Sequence, residues 1–115
     1  MINLIGLKRK DDIKMDGWIG VDLDGTLAEY NNWQGAENIG KPIPLMVERV
    51  KKLINEGKNI KIFTARVSSN NPDASVSRES IQTWCLKYLN IILPITAEKD
   101  YGMIDVNKLF QTRVY

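Results

Sequence analysis

A chain of 115 residues, 43% hydrophobic and 26% charged, is sized for one globular domain and excludes a disordered or low-complexity protein. Sixteen basic against fourteen acidic residues leave a net charge of +2, with both signs interspersed, so the charge pattern calls for no nucleic-acid partner. With no histidine and one cysteine, Cys85, the chain has no His-based triad, no His-ligated zinc and no intramolecular disulfide. Its chemistry must come from carboxylates, hydroxyls, Lys, Arg or one thiol. No apolar run approaches the ~20 residues of a membrane span, and residues 1–10 lack the shape of a secretory signal, so a cytoplasmic protein is expected.

Residues 1–16 read as a short apolar stretch (Ile2, Leu4, Ile5, Leu7) followed by a charged linker, and residues 17–115 as a single domain. The run Trp18-Ile19-Gly20-Val21 favours a buried strand, which ends in the turn Asp22-Leu23-Asp24-Gly25-Thr26. A polar loop carrying Tyr30 and Trp33 leads to Pro42 and Pro44, which open a helix with Met46, Val50, Leu53 and Ile54 on its apolar face. Gly57 stops that helix as a left-handed cap, and residues 59–64 form the second strand. Ile81, Trp84, Cys85, Tyr88 and Leu89 mark one face of a second helix that starts near Asp73 or Ser75 and closes at Asn90. Residues 91–96 are expected as a third strand, placed at a sheet edge by Pro94; residues 103–106 and 111–115 are weaker strand candidates. Strand, helix, strand, helix, strand predicts an α/β fold, a three-layer Rossmann-like sandwich with a mostly parallel sheet. Only residues 97–102 separate the third strand from the next candidate, too few for an ordinary parallel crossover. The last strand is therefore expected to be antiparallel, displaced, or not paired.

The feature that carries chemistry is Asp22-x-Asp24-Gly25-Thr26 at the carboxyl end of a buried strand, where open α/β sheets bind ligands. Residues two apart in extended chain share a face, but a turn begins at once here, and Gly25 permits the bend that lets both carboxyls approach one small volume. Two such anions repel unless a cation lies between them or one is protonated, and oxygen ligands without His or Cys favour Mg2+. A plain hydrophilic turn is the competing reading. A calcium loop fails, because counting from Asp22 its required sixth-position Gly and twelfth-position Glu are replaced: Gly25 is fourth and Trp33 twelfth. The second strand ends in Thr64-Ala65-Arg66, whose hydroxyl and following N–H groups suit a phosphate oxygen. Lys99, after the third strand, is placed to neutralise charge between phosphate and nucleophile.

Asp22, Asp24, Thr64 and Lys99, in this order and strand context, resemble the haloacid dehalogenase superfamily of phosphohydrolases. The likeness is to its small cap-less members of bacterial and phage type, and it runs from about Gly17 to Ile104 through Gly17–Ala28, Trp33-Gln34-Gly35, Ile39–Pro44, Ile62–Val67 and Lys99–Ile104. The resemblance implies an aspartyl-phosphate phosphatase. Asp22 would be the nucleophile and Asp24 the acid and base, with Thr64 and Lys99 holding the phosphoryl group. Gly25, Thr26, Ala65 and Arg66 would lie at the phosphate and substrate, Arg66 being equally open to pairing with a local carboxylate, and Mg2+ would be held by Asp22 and the backbone carbonyl of Asp24. The family places a further acidic pair nine and ten positions after the lysine; this chain has Lys108 and Leu109 there. Asp105, with Asp100 as the alternative, is the expected substitute in the metal set.

A magnesium-dependent phosphatase acting on a small phosphorylated substrate is thus the leading reading. The alternative is a catalytically impaired relative that binds phosphate or a partner. A phospho-accepting receiver domain fits poorly, since the strand that should present its acceptor Asp ends in Thr64-Ala65-Arg66. Seventeen residues (27–43) and thirty-four (65–98) separate the motifs, and neither interval holds a cap domain, so the site is expected to be open unless a second subunit covers it in a homo-oligomer.

Overall fold

The computed structural model describes residues 17–111, with side chains to residue 109. The expected N-terminal strand and linker (1–16) and residues 112–115 of the last candidate strand lie outside the described residues. Four strands, β1 (Trp18–Asp22), β2 (Ile60–Phe63), β3 (Ile95–Thr96) and β4 (Met103–Asp105), form one sheet in the order β3-β2-β1-β4. Every pairing is parallel: Ile19 with Ile60 and Val21 with Ile62, Ile62 with Ile95, and Trp18 with Met103. Helices α1 (Pro44–Asn55), α2 (Ala74–Leu89) and α3 (Val106–Gln111) complete an α/β, Rossmann-like fold.

Side-chain alternation sorts the sheet into two faces. Ile19, Val21, Ile60, Ile62 and Ile95 join Met46, Val50 and Leu53 of α1, Ile81, Trp84, Cys85 and Leu89 of α2, and Val106 of α3 in one hydrophobic core. Helix α1 begins at Pro44, whose missing N–H costs nothing in a first turn, and gives way two residues past its end to Gly57 at φ 79°. Asn90, at φ 63°, is the left-handed cap of α2 that its position predicted.

Two expectations need correction. The third strand is shorter than residues 91–96. Asn90 turns the chain, Ile91 and Ile92 are exposed, and pairing begins only where Pro94 lends its carbonyl to the Ile62 N–H (2.8 Å). Pro94 has no N–H to give, and β3 is indeed an edge strand. Val106 and Gln111, the end of one strand candidate and the start of the other, lie in a helix over 106–111, because the Asp105 carboxylate accepts the Asn107 N–H (2.8 Å) and caps a new turn just as β4 ends.

The six residues 97–102 between β3 and β4 achieve a parallel connection by displacement. They lead from one edge of the sheet to the other, and β4 pairs on the far side of β1. No helix covers the route. The Lys99 ammonium lies over the Phe63 ring of β2 (5.9 Å), the Trp18 indole donates to Asp100 Oδ1 (2.8 Å), and the Trp18 amide donates to the Gly102 carbonyl (2.9 Å). Trp18 and Phe63 belong to the sheet face opposite the core. The strap therefore lies across that face and delivers Lys99 toward the carboxyl end of β1.

Candidate functional site

The bend after β1 is built around one carbonyl. Leu23 O accepts the N–H groups of Leu27 (3.0 Å) and Ala28 (2.9 Å), and the Gly25 N–H closes the loop on Ala28 O (2.8 Å). Leu23 and Leu27 are fully buried, which anchors the loop, while Gly25 stands at φ 84° with open space around it. A side chain there would be strained by backbone conformation alone. Thr26, half-buried, is held through its amide to Leu23 O (3.3 Å).

Asp22, the last residue of β1, shares its sheet face with Asp105, whose Cα is paired with Gly20 two residues earlier. Burial pushes the Asp22 carboxyl above the ordinary carboxylate range, the negative charge of Asp105 pushes it further, and the Lys99 cation pulls it back. Asp22 therefore feels the charge of two of the residues expected to act with it. Asp100 is used differently, since its Oδ1 holds both the Trp18 indole and the Gly102 N–H. Lys108 is exposed and Leu109 packs on the core, as positions in a helix and not at a strand end.

Asp24 is paired with Arg66. Its two carboxylate oxygens are gripped by Arg66, Nε to Oδ2 at 2.8 Å and Nη2 to Oδ1 at 2.9 Å, a bidentate pair. Arg66 is 6% exposed, its guanidinium lies 4.7 Å from the centre of the Trp33 ring, and its carbonyl accepts from Asn71 Nδ2 (3.0 Å). Nη1 has no partner among the described residues. Thr64 is buried at the end of β2, with its hydroxyl accepting the Arg66 N–H (3.2 Å). That bond caps the single 3-10 turn of Ala65–Val67, which aims Arg66 back at β1. Asp24, Thr64, Ala65 and Arg66 line one cleft of about 260 Å3 together with Tyr30, Trp33 and Asn71. A second, of about 400 Å3, opens between the loop carrying Tyr30 and Lys41 and the same arginine.

The roles of Trp33 and Asn71 were not legible in the sequence as site positions. An aromatic in a polar loop signals packing of some kind, and only the fold shows that the partner is Arg66. Asn71 sits in an ordinary turn sequence and gave no signal. Among the described residues there is no group of three or more His, Cys, Asp or Glu side chains placed to hold a metal, and no helix long and apolar enough to cross a membrane.

No protein-family model and no curated protein matches the chain. Among solved structures, it is similar to a conserved protein of Bacteroides thetaiotaomicron at 20% identity and TM-score 0.51, covering 84% of this chain and 91% of that one. At that identity the likeness establishes the fold, an α/β Rossmann-like arrangement around a parallel sheet, and that alone.

Proposed function

We propose that this protein is a magnesium-dependent phosphomonoester hydrolase working through an aspartyl-phosphate on Asp22. The observation that carries the reading is that Asp22 and Asp105 share one sheet face near the carboxyl end of β1, with Lys99 laid over the neighbouring Phe63 ring. Two carboxylates on one sheet face form a donor set suited to a hard cation, and Mg2+ needs only one or two of them beside water and phosphate oxygens. Asp22, Asp105 and the backbone carbonyl of Asp24 would hold the ion, whose charge would offset that of the phosphoryl oxygens.

In the first step an Asp22 oxygen attacks phosphorus and the bond from phosphorus to the leaving oxygen breaks, while Asp24 supplies that oxygen with a proton. In the second, water attacks the acyl phosphate, Asp24 takes the proton, and phosphate leaves with Asp22 restored. Lys99 balances the charge beside Asp22, and Thr64 with Ala65 positions the phosphoryl group. Asp24 can move protons only when its pair with Arg66 slides or opens, so Arg66 sets when the acid is free.

That same pair favours a second reading, a protein that binds phosphate or a partner without turnover, since both Asp24 oxygens and the Thr64 hydroxyl already have partners. Phosphate release from an aryl phosphate, with and without Mg2+, separates the two in wild type and Asp22→Asn. Release that needs Mg2+ and Asp22 supports the hydrolase. No release, or release indifferent to Asp22, overturns it, and thermal stabilisation by Mg2+ without turnover then supports the binding protein.

A further inference from the structure

Arg66 lines both clefts, as does Tyr30: the smaller lies beside Asp24 and Thr64 and the larger beside Asn31, Asn38 and Lys41. A guanidinium carries five N–H donors. Asp24 takes one from Nε and one from Nη2, and Nη1 keeps both of its own with no acceptor among the described residues. Leaving such donors unpaired in a side chain 6% exposed is costly, and the cost disappears when an acceptor arrives. No described residue supplies that acceptor. The guanidinium lies against the Trp33 ring, which is itself half-exposed, and faces both clefts.

We infer that Arg66 Nη1 is the recognition point for a second anionic group on the substrate, so that the preferred phosphomonoester bears a further carboxylate or phosphate on its leaving group. This deepens the phosphatase reading and rests on it. The phosphoryl group sits toward Asp22, the leaving group extends past Asp24, and its second oxyanion reaches Nη1 beside the Trp33 ring. Lys41 at the rim of the larger cleft adds positive charge on the same path, and the amides of Asn31 and Asn38 leave room for polar substituents. Binding there also gives Arg66 an alternative anion to Asp24, which loosens the acid when a complete substrate is present. Charge-assisted pairing of this kind selects for the second anion and against a neutral analogue of the same size.

The test is binding of phosphonates, which cannot be hydrolysed, by isothermal titration with excess Mg2+. Propylphosphonate lacks the second anion, 3-phosphonopropionate carries a carboxylate, and ethane-1,2-diphosphonate carries a second phosphorus oxyanion. Wild type is expected to bind at least one of the dianionic probes about tenfold more tightly than propylphosphonate, and the better of the two identifies the group. In Arg66→Lys, which keeps a cation beside Asp24 but loses the fork, that ratio is expected to fall to near one. Lys41→Gln, an exposed change, is expected to reduce it by less. Equal binding of all three probes by wild type overturns the inference while the aryl phosphate assay still decides the hydrolase. A preference lost in Lys41→Gln and kept in Arg66→Lys overturns it as well. Failure to bind either dianionic probe overturns the inference, and the aryl phosphate assay decides the hydrolase separately.

Discussion

Arg66 holds Asp24 through two parallel hydrogen bonds, and the two ends of that pair differ in burial: the Arg66 side chain is 5% exposed, the Asp24 side chain 23%. Removing the carboxylate strands a buried cation, whereas removing the cation leaves a carboxylate that water can reach. Asp24→Ala is therefore expected to destabilise the fold by about 2–4 kcal/mol, and Arg66→Met by roughly half as much. Urea unfolding of the two variants checks the order, and an equal or reversed cost contradicts it.

Asp22 gives a pH dependence whose sign follows from its raised proton affinity. The folded protein keeps the Asp22 proton to higher pH than the unfolded chain does. The group's contribution is thus most favourable in acid, below the ordinary carboxylate value, and is lost as pH rises through the raised value. Asp22→Asn should remove that loss. Its thermal midpoint is expected to match wild type near pH ~4 and exceed it by a few degrees at neutral pH. Mg2+ is expected to raise the midpoint of wild type at neutral pH and to leave Asp22→Asn nearly unchanged. A midpoint for Asp22→Asn below that of wild type at neutral pH contradicts the assignment of burial and Asp105 as the dominant influences.

Much of this was legible from spacing alone, and what was not shares one cause. Pro44, Asn90 and Pro94 act through their own backbone preferences, so each marked a boundary or an edge without help from the rest of the chain. Asp22 was legible because a buried strand must end somewhere and its end is where a parallel sheet opens. The route of β4 was not, since a six-residue strap has no periodicity and is fixed by the Trp18 indole, the Phe63 ring and Asp100, partners far apart in sequence. The pairing of Asp24 with Arg66 spans 42 residues and depends on a single 3-10 turn to aim the guanidinium. The sequence leaves Arg66 open to a substrate anion or a local carboxylate; the fold makes that carboxylate Asp24.

Cys85 tests the core beneath α2. It is fully buried, and burial pushes its thiol up, only partly offset by a hydrogen bond with the Leu93 backbone. The thiolate is the reactive form, so both access and ionisation are suppressed. At pH about 8 an aromatic disulfide reagent is expected to label native protein at least ~1,000-fold more slowly than urea-unfolded protein, the factor set by the opening equilibrium. Labelling within a few-fold of the unfolded rate shows that α2 does not pack as described.

Two glycines predict opposite tolerances, and the contrast bears on the site because one of them seats the loop that carries Trp33. Glu29 donates to the Lys41 carbonyl (2.7 Å) and Ile43 to that of Leu27 (2.9 Å), so the chain before and after the loop lies side by side at its base. Gly40 is in that base, its carbonyl accepting the Trp84 indole of α2 (3.0 Å), and a Cβ there would overlap the Glu29 carbonyl, which is backbone and cannot step aside. A Cβ on Gly20 would meet Met103 instead, mostly at its terminal methyl, and a methionine can change rotamer. Gly40→Ala is expected to cost about 2–4 kcal/mol and Gly20→Ala about 1 kcal/mol, with Met103→Ala relieving part of the second and none of the first. Because the Gly40 clash pries apart the base of the loop, it should also weaken the Arg66 contact with Trp33, read as a change in tryptophan fluorescence that Trp33→Phe abolishes. A Gly40→Ala variant as stable as wild type, with unaltered Trp33 emission, contradicts the seating of this loop on Glu29 and Trp84.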